Sequence, residues 1–244
     1  MNILFITNYS KNYGGGHFIR CNKLSKKLKK NNKIFFLIDD KDKNISNFLT
    51  KDTKLIINNN IFRKKKKLIE IIKSLKKPIV IIDSYLSSYS FEKKIYSFCK
   101  KLIVIDDLKK KHFCDIYINP NLINFKFASQ IKAKIKLLGI KYSFLDVSKN
   151  FLIQKKKKNK FKNILIFMGT TDSKNLSHKI YEAIKNKETS HLKFKLIKGY
   201  KNENLKQVIK NNKLSNFKFL NFSNNFLRNL YQADVFISSG GSSV

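Results

Sequence analysis

The stretch NILFITNYSKNYGGGHFIRCNKL, residues 2–24, has the pattern of a strand, a glycine turn and a helix in direct succession. Asn2–Thr7 is a continuous apolar run, as in a buried strand. In the helix that follows, the apolar residues share one stripe, which consists of Phe18, Cys21, Leu24 and Leu28. This order of elements predicts the first unit of an α/β sheet.

The glycine turn, Gly14–Gly16, is followed at once by His17 and, one helical turn later, by Arg20. Glycine allows the backbone to adopt positive φ and lets a ligand approach closely. The helix N-terminus behind the turn offers unpaired N–H groups and a positive dipole end, which suit a phosphate. The candidate site residues of this stretch are Gly15, Gly16, His17 and Arg20. A flexible loop with a solvated histidine is the alternative interpretation of the same pattern.

The length and composition predict a folded protein with one large or two small α/β domains. The chain has 244 residues, of which 42% are hydrophobic. No apolar run reaches the ~20 residues that a membrane-spanning helix needs. The N-terminus lacks the shape of a signal peptide, and the three cysteines are scattered without a CxxC pair. We therefore expect a cytoplasmic protein with no integral membrane segment, no disulfide framework, no metal site and no cofactor.

The formal net charge of +36 comes almost entirely from lysine, since the only arginines are Arg20, Arg63 and Arg228. Lysine is inflated together with Asn, Ile and Phe, the residues that A/T-rich codons favour. Specific nucleic-acid readers depend on arginine forks and on aromatic side chains within basic faces. We therefore expect no specific nucleic-acid partner, although a positive field would attract an anionic substrate. A charge-driven binder of anions or nucleic acid stays open as an alternative.

Apolar runs alternate with helical periodicity over the first 140 residues or so, which predicts a doubly wound parallel sheet with right-handed crossovers. The predicted strands are 34–39, 54–58, 79–83, 102–107, 115–120 and 137–139. The predicted helices are 61–76, 91–100 and a short one at 45–49.

Polar residues come directly after these strands, at Asp83–Tyr85, Asp106-Asp107 and Asn119–Asn121. The carboxyl edge of an open parallel sheet is where ligands bind. This edge therefore adds Tyr85, Asn119 and Asn121 to the candidate site. For the two aspartates a strand-end turn with a helix cap is an equal alternative. The remaining histidines, His112, His178 and His191, have lysine-rich or helical surroundings that predict a solvated surface.

The lysine-rich segment 155–160 is predicted to link an N-terminal domain, 1–154, to a C-terminal domain, 161–244. The second domain opens with the strand 163–168, the turn Gly169–Asp172 and the helix 176–185, with Asn175 as its cap. Strands and helices then alternate to the end of the domain. The predicted strands are 194–198, 217–222 and 234–238, and the predicted helices are 204–213 and 226–232.

Two turns of the second domain have the composition of anion-binding sites. Backbone amides and threonine hydroxyls of the first turn can hold a diphosphate. The residues concerned are Gly169, Thr170, Thr171 and Asp172, with Gly240, Gly241, Ser242 and Ser243 in the second turn. No Walker lysine pattern and no GxGxxG fingerprint occur, so neither nucleoside triphosphate hydrolysis nor NAD chemistry is indicated.

Six motifs come in one order along nearly the whole chain. They are G-H-x-x-R at 16–20, IIDSY at 81–85, IDD at 105–107, DIYINPN at 115–121, MGTTD at 168–172 with NLS at 175–177, and ADVFISSGGSS at 233–243. Their order and spacing resemble the UDP-2,4-diacetamido-2,4,6-trideoxy-β-L-altropyranose hydrolase of pseudaminic acid biosynthesis. The resemblance implies a GT-B-like fold, with two Rossmann-type parallel-sheet domains facing a cleft. The same fold occurs in the glycosyltransferase that adds GlcNAc to lipid II.

The resemblance implies a UDP-sugar substrate that is hydrolysed at the anomeric carbon with inversion. Separately from the resemblance, we expect the protein to be a monomer. His17 would orient and deprotonate the attacking water, and Arg20 would contact phosphate or sugar. Tyr85 matches a family tyrosine near the sugar, and the two C-terminal turns would hold UDP.

The chain also departs from the family. Thr170 replaces the second glycine of the Gly-Gly-(Thr/Ser)-Asp turn. The family continues beyond the final glycine turn into a helix with a glutamate that helps to hold UDP, whereas this chain ends at Val244. An incomplete C-terminal domain with weak or absent activity is therefore one expectation. A related GT-B glycosyltransferase that uses a UDP-sugar is another.

Overall fold

The computed structural model describes residues 1–9, 15–39, 49–57, 61–108, 110–121, 128–144, 161–169, 172, 174–185, 187–199, 205–222 and 226–239. The chain forms two compact units. One holds the first strand together with His17–Phe144, and the other holds the chain from residue 161 onward. The predicted 155–160 linker lies outside the described residues, so the domain boundary stays a prediction.

The first unit is a seven-stranded sheet in which every pair of neighbouring strands is parallel. Its strands are β1 (Asn2–Asn8), β2 (Lys33–Asp39), β3 (Lys54–Ile57), β4 (Ile79–Asp83), β5 (Lys101–Ile105), β6 (Phe113–Asn119) and β7 (Lys132–Leu138). Its helices are α1 (Gly16–Leu28), α2 (Lys65–Ser74) and α3 (Tyr89–Tyr96), with short 3-10 turns at Lys29–Asn31 and Ile140–Tyr142. The strand order β3-β2-β1-β4-β5-β6-β7 reverses direction between β1 and β4. Ligands bind at such a reversal in open α/β sheets.

Strand β1 is buried on both faces, which explains why it reads as a continuous apolar run. On one face, Leu4 and Ile6 pack into a cluster with residues of α2 and α3. On the other face, Ile3 and Phe5 pack with Phe18 and Cys21 of α1. Leu24 and Leu28 lie against this second cluster, so the apolar stripe predicted for α1 is confirmed.

Some element ends differ from the predicted ones for identifiable reasons. Ile61 and Phe62 are buried but lie in a turn, so α2 begins only at Lys65. Helix α3 begins two residues early because Ser88 caps it, with its Oγ accepting from the backbone N–H of Phe91 at 3.4 Å. Strand β7 is longer than 137–139 because alternate lysines hide its pattern. Its place at the edge of the sheet tolerates that charge.

Most of the predicted helix 45–49 lies outside the described residues.

The second unit is a four-stranded parallel sheet in the order β10-β9-β8-β11. Its elements are β8 (Asn163–Phe167), α4 (Leu176–Lys185), β9 (Lys193–Lys198), α5 (Leu205–Lys210), β10 (Phe217–Asn221), α6 (Phe226–Gln232) and β11 (Val235–Ser238). The Asp234 carboxylate accepts the backbone N–H of Asn163 at 2.8 Å and so joins the starts of β8 and β11. The predicted α/β class with two parallel sheets is confirmed. Among the described helices, none has both the length and the apolar character to cross a membrane.

Candidate active site

Polar side chains converge at the carboxyl edge of the first sheet, around the reversal between β1 and β4. Asp83, the last residue of β4, is fully buried and pairs in register with Thr7 of β1. Helix α1 begins directly after β1 and its loop, and it brings His17 and Arg20 to Asp83. The strand order therefore assembles residues that lie more than sixty positions apart in the chain.

Arg20 and Asp83 form a buried bidentate ion pair. The Arg20 Nε and Nη2 groups donate to Asp83 Oδ2 and Oδ1, each at 2.6 Å. Burial alone would raise the pKa of Asp83. The charge of Arg20 and the hydrogen bonds from Arg20 and His17 nevertheless hold this pKa below its ordinary value. Asp83 is therefore an ionised carboxylate with both oxygens bound.

His17 lies against the same carboxylate, with its Nδ1 2.6 Å from Asp83 Oδ1. A carboxylate oxygen only accepts, so Nδ1 must carry the proton that it donates to Asp83. This assigns the tautomer of the neutral ring, in which Nε2 keeps its lone pair and is the acceptor. Asp83 thus holds the imidazole in one orientation, in the way a carboxylate orients a histidine base.

Tyr85 packs edge-on against the His17 ring, with 4.3 Å between the ring centroids and 90° between the planes. Burial raises the pKa of the Tyr85 hydroxyl, and the charge of Asp107 with a hydrogen bond to it raises the pKa further. The Tyr85 side chain is therefore a neutral phenol beside the imidazole. Lys110 donates to the Tyr85 carbonyl and fastens this turn.

Arg20 has a second carboxylate partner, because its Nη1 lies 3.4 Å from Asp107 Oδ2. The Arg20 side chain is 4% exposed. The sequence analysis predicted that Arg20 contacts a phosphate or a sugar of the ligand. The structure instead gives it one carboxylate partner at the end of β4 and another just after β5, so a ligand contact stays a prediction.

His112 was expected on a solvated surface, and this prediction is wrong. The residue is 2% exposed and lies between two buried carboxylates, with Nδ1 2.9 Å from Glu92 Oε1 and Nε2 3.0 Å from Asp106 Oδ2. Burial alone would lower its pKa. Hydrogen bonds and charges of Asp106 and Glu92 nevertheless raise it to about 9. The sequence held a sign that a buried charge partner was needed here. Glu92 lies on the apolar side of α3, next to Phe91 and three residues before Ile95, so its carboxylate is buried.

The two aspartates after β5 have different partners, and neither caps a helix among the described residues. Asp106 contacts His112, whereas Asp107 contacts Arg20 through its side chain. The Asp107 carbonyl accepts a hydrogen bond from Asn121 Nδ2 at 3.3 Å. The segment after β5 therefore connects β5 to α1 through Asp107 and Arg20, and to the end of β6 through the Asp107 carbonyl and Asn121.

Asn119 and Asn121 lie at the end of β6 in different environments. Asn119 is fully buried; its Nδ2 donates to Tyr117 Oη at 3.1 Å and its Oδ1 accepts the backbone N–H of Asn121 at 2.9 Å. Asn121 is exposed at the edge. Their contact with a ligand stays a prediction.

Gly16 does not use the conformational freedom that sequence reasoning assigned to the glycine turn. Gly16 is already the first residue of α1, and the described glycines with positive φ are Gly139 and Gly169. Gly14 lies outside the described residues. The absence of a side chain at Gly15 and Gly16, next to His17, remains consistent with close approach of a ligand.

In the second unit, Asp172 caps helix α4. Its Oδ1 accepts the backbone N–H of Leu176 at 2.8 Å and its Oδ2 accepts that of Ser177 at 2.9 Å. The prediction that Asn175 is the cap is therefore wrong. Asn175 has φ +53°, and Asp172 itself has φ +43°. The carboxylate uses two amides that an anion would otherwise use.

The remaining residues of the two predicted anion-binding turns are only partly described. Gly169 has φ +88°, which requires glycine, and nothing nearer than Ser239 Oγ at 3.9 Å would meet an added Cβ. Thr170, Thr171, Gly240, Gly241, Ser242 and Ser243 lie outside the described residues. Within the described ranges, no three or more His, Cys, Asp or Glu side chains are placed to hold a metal ion.

The second unit, with its four parallel strands and the helix capped by Asp172, can be compared with known domains. Residues 163–244 match the glycosyltransferase family 28 C-terminal domain. A relative in Methanocaldococcus jannaschii, the uncharacterized protein MJ1062, is 31% identical over 264 aligned positions. The alignment covers 99% of this chain but 52% of that protein, so the chain spans about half the length of this curated relative.

Two solved structures resemble the whole chain at low identity. MurG of Acinetobacter baumannii has a TM-score of 0.59 at 13% identity, covering 100% of this chain and 74% of its own. HepE of Anabaena, solved with UDP-glucose, has a TM-score of 0.57 at 12% identity, covering 97% and 73%. These likenesses confirm the GT-B-like fold that the resemblance implied.

Proposed function

We propose that this chain hydrolyses a UDP-linked 2,4-diacetamido-2,4,6-trideoxy sugar, as a step of pseudaminic or related nonulosonic acid biosynthesis. The observation that carries the proposal is the contact between His17 Nδ1 and the Asp83 carboxylate. It leaves Nε2 as a fixed proton acceptor at the edge of the sheet where ligands bind. The identity of the sugar in this proposal is taken from the family resemblance along the chain.

The reaction needs one bond made and one broken. A water oxygen attacks the anomeric carbon, and His17 Nε2 takes a proton from that water. The bond between the anomeric carbon and the phosphate oxygen breaks, and its electron pair leaves with UDP. Attack opposite the leaving group inverts the configuration. A positioned general base contributes about 10²–10⁴-fold to such a rate.

The surrounding charges suit this role for His17. Asp83 orients the ring and is itself held by Arg20, whose fork fixes both carboxylate oxygens. Asp83 therefore needs no reorganisation when the imidazole takes up a proton. The neutral Tyr85 phenol lies beside the ring. Because its O–H donates to Asp107, its oxygen is left to accept a hydrogen bond from a sugar hydroxyl.

The nucleotide is assigned to the second unit in this proposal. The match of residues 163–244 to a glycosyltransferase domain and the UDP-glucose in the HepE structure support a UDP-sugar. The predicted contacts are Gly169–Asp172 and Gly240–Ser243. Because Asp172 already binds two helix amides, we expect the phosphates to use other donors of these turns.

The test is to incubate the purified protein with UDP-2,4-diacetamido-2,4,6-trideoxy-β-L-altropyranose in ¹⁸O-water. Phosphorus and proton NMR follow UDP and the free sugar, and mass spectrometry locates the label. We expect release of UDP and inverted sugar with ¹⁸O on the anomeric carbon. His17→Ala abolishes turnover, whereas the matched control His191→Ala, on an exposed turn, does not. Turnover that survives His17→Ala removes His17 from the role of base.

A UDP-sugar glycosyltransferase is the second candidate, favoured by the family 28 match of residues 163–244. Water and a sugar hydroxyl are similar nucleophiles, so the same base serves both reactions. A transferase would release UDP only when an acceptor is added, and the anomeric oxygen would come from that acceptor. Absence of ¹⁸O from the product would therefore favour this candidate.

A further inference from the structure

Asn8, the last residue of β1, is a buried asparagine with an unused side chain. It is 1% exposed. Within the part of the chain that the structure describes, neither its Nδ2 nor its Oδ1 has a hydrogen-bond partner. Leaving a buried polar group without a hydrogen bond is unfavourable, so native structures contain few such groups. An unpaired amide of this kind suggests that another group forms hydrogen bonds with Asn8 when the protein functions.

Other buried polar side chains at the same edge of the sheet do have hydrogen-bond partners, so burial alone does not explain why the Asn8 amide has none. Asn119 ends β6 as Asn8 ends β1, and it is equally buried, yet its Nδ2 and Oδ1 both have partners. Asp83 and Asp106, also buried at strand ends, are paired as well. Asn8 differs from these equivalents in having an unused donor and an unused acceptor.

The position of Asn8 relates it to the candidate active site. Its predecessor Thr7 pairs in register with Asp83, so Asn8 lies one residue beyond Asp83 at the reversal of strand order. Side chains alternate along a strand. Thr7 therefore shares the α1 face with Asp83, and Asn8 stands on the face of Leu4 and Ile6.

We infer that the Asn8 side-chain amide binds a polar group of the sugar that both donates and accepts a hydrogen bond. Such a group is a hydroxyl or a secondary amide; a phosphate, which only accepts, would leave Oδ1 unpaired. Asn8 is thus a substrate-binding residue on the opposite side of the sheet edge from His17. This inference rests on the proposed UDP-sugar chemistry.

Asn8→Leu separates a ligand role from a structural one, because the two predict opposite effects on the free protein. Removing an unpaired buried amide takes away a desolvation cost, so the melting temperature should rise by about 2–4 °C. The matched control Asn119→Leu removes a paired amide and should lower it. Asn8→Ala, which adds no bulk, keeps the binding test valid if leucine does not fit.

The binding test uses calorimetry with UDP, UDP-glucose and UDP-N-acetylglucosamine on the full chain. Asn8→Leu and Asn8→Ala should weaken UDP-sugar binding by about 10- to 100-fold and leave UDP binding unchanged. A loss confined to UDP-N-acetylglucosamine identifies an amide as the partner, and a loss with both sugars identifies a hydroxyl.

Unchanged UDP-sugar affinity in both variants overturns the inference, and so does a parallel loss of UDP affinity. A lowered melting temperature with unchanged affinity would assign Asn8 to an internal water instead. The proposed substrate, UDP-2,4-diacetamido-2,4,6-trideoxy-β-L-altropyranose, is tested as a fourth probe. If the wild type binds neither it nor the other UDP-sugars, the proposed function fails and the inference fails with it. Wild-type binding with unaffected variants is the failure of the inference alone.

Discussion

At the scale of single residues, Asp83 determines the state of the candidate site. It accepts two hydrogen bonds from Arg20 and one from His17 while fully buried. The sequence predicted His17 and the polar strand end, since a histidine after a glycine turn is visible in one dimension. It did not predict the pairing with Asp83, which depends on β1 and β4 being neighbours.

The substitution Asp83→Asn tests this arrangement. The asparagine amide would present a donor to His17 Nδ1 and favour the tautomer with the proton on Nε2, so the base would lose its acceptor. We expect kcat for UDP release to fall by about 10²–10⁴-fold, with KM little changed. Steady-state kinetics measure this, and circular dichroism checks that the fold is retained. An unchanged kcat would contradict the proposed orientation of His17.

The pKa of His112 makes a prediction about stability at high pH. This pKa is raised from 6.5 to about 9 in the folded state. A raised pKa stabilises the fold fully below pH 6.5, and the contribution is lost as the pH rises through 9. With Glu92 and Asp106 as partners, we expect a loss on the order of 3 kcal/mol between these limits.

Urea unfolding of the wild type and of His112→Gln at pH 6, 7.5 and 9.5 measures this effect. Glutamine is neutral throughout, so the wild type should lose its advantage over the variant by pH 9.5. A difference that stays constant with pH would show that the imidazole is not charged in the folded protein.

At the scale of elements, the turn between α2 and β4 holds two consecutive lysines with positive φ, Lys76 at 52° and Lys77 at 54°. The left-handed region is unfavourable for residues with a side chain. Lys76→Gly should therefore raise the free energy of unfolding by about 0.5–1 kcal/mol. The same change in helix α2, Lys67→Gly, should lower it by about 1 kcal/mol. Urea unfolding checks both signs, and a loss in both variants would contradict the assigned strain.

The elements themselves were largely predictable because parallel strands buried on both faces stand out as apolar runs. Strand β7 was shortened in the prediction because Lys132, Lys134 and Lys136 interrupt it, and only its place at the sheet edge explains them. The cap of α4 was misplaced for a related reason. Asn175 is the nearer capping residue in sequence, but a left-handed turn brings Asp172 back to the helix.

At the scale of the whole molecule, the net charge of +36 opposes compaction through self-repulsion. At 0.1 M salt, the repulsion between exposed charges more than about 10 Å apart is largely screened. The urea midpoint should therefore rise between 0.02 and 0.3 M NaCl, and KCl should give the same result. The same screening should lower kcat/KM for a UDP-sugar, because the field no longer attracts the anion. A midpoint that falls with salt would contradict this account.

The bidentate pair of Arg20 and Asp83 also bears on how such a protein evolves. The Asp83 carboxylate joins helix α1 to strand β4 and also orients the candidate base. A substitution at position 83 would therefore affect stability and the candidate site at the same time. Under either proposed reaction, with water or a sugar hydroxyl as the nucleophile, a change at this residue would disturb both the ion pair and the orientation of the base. Under the proposed function, we expect changes of substrate specificity at proposed ligand contacts such as Asn8 and Asn121, where a substitution leaves the ion pair intact.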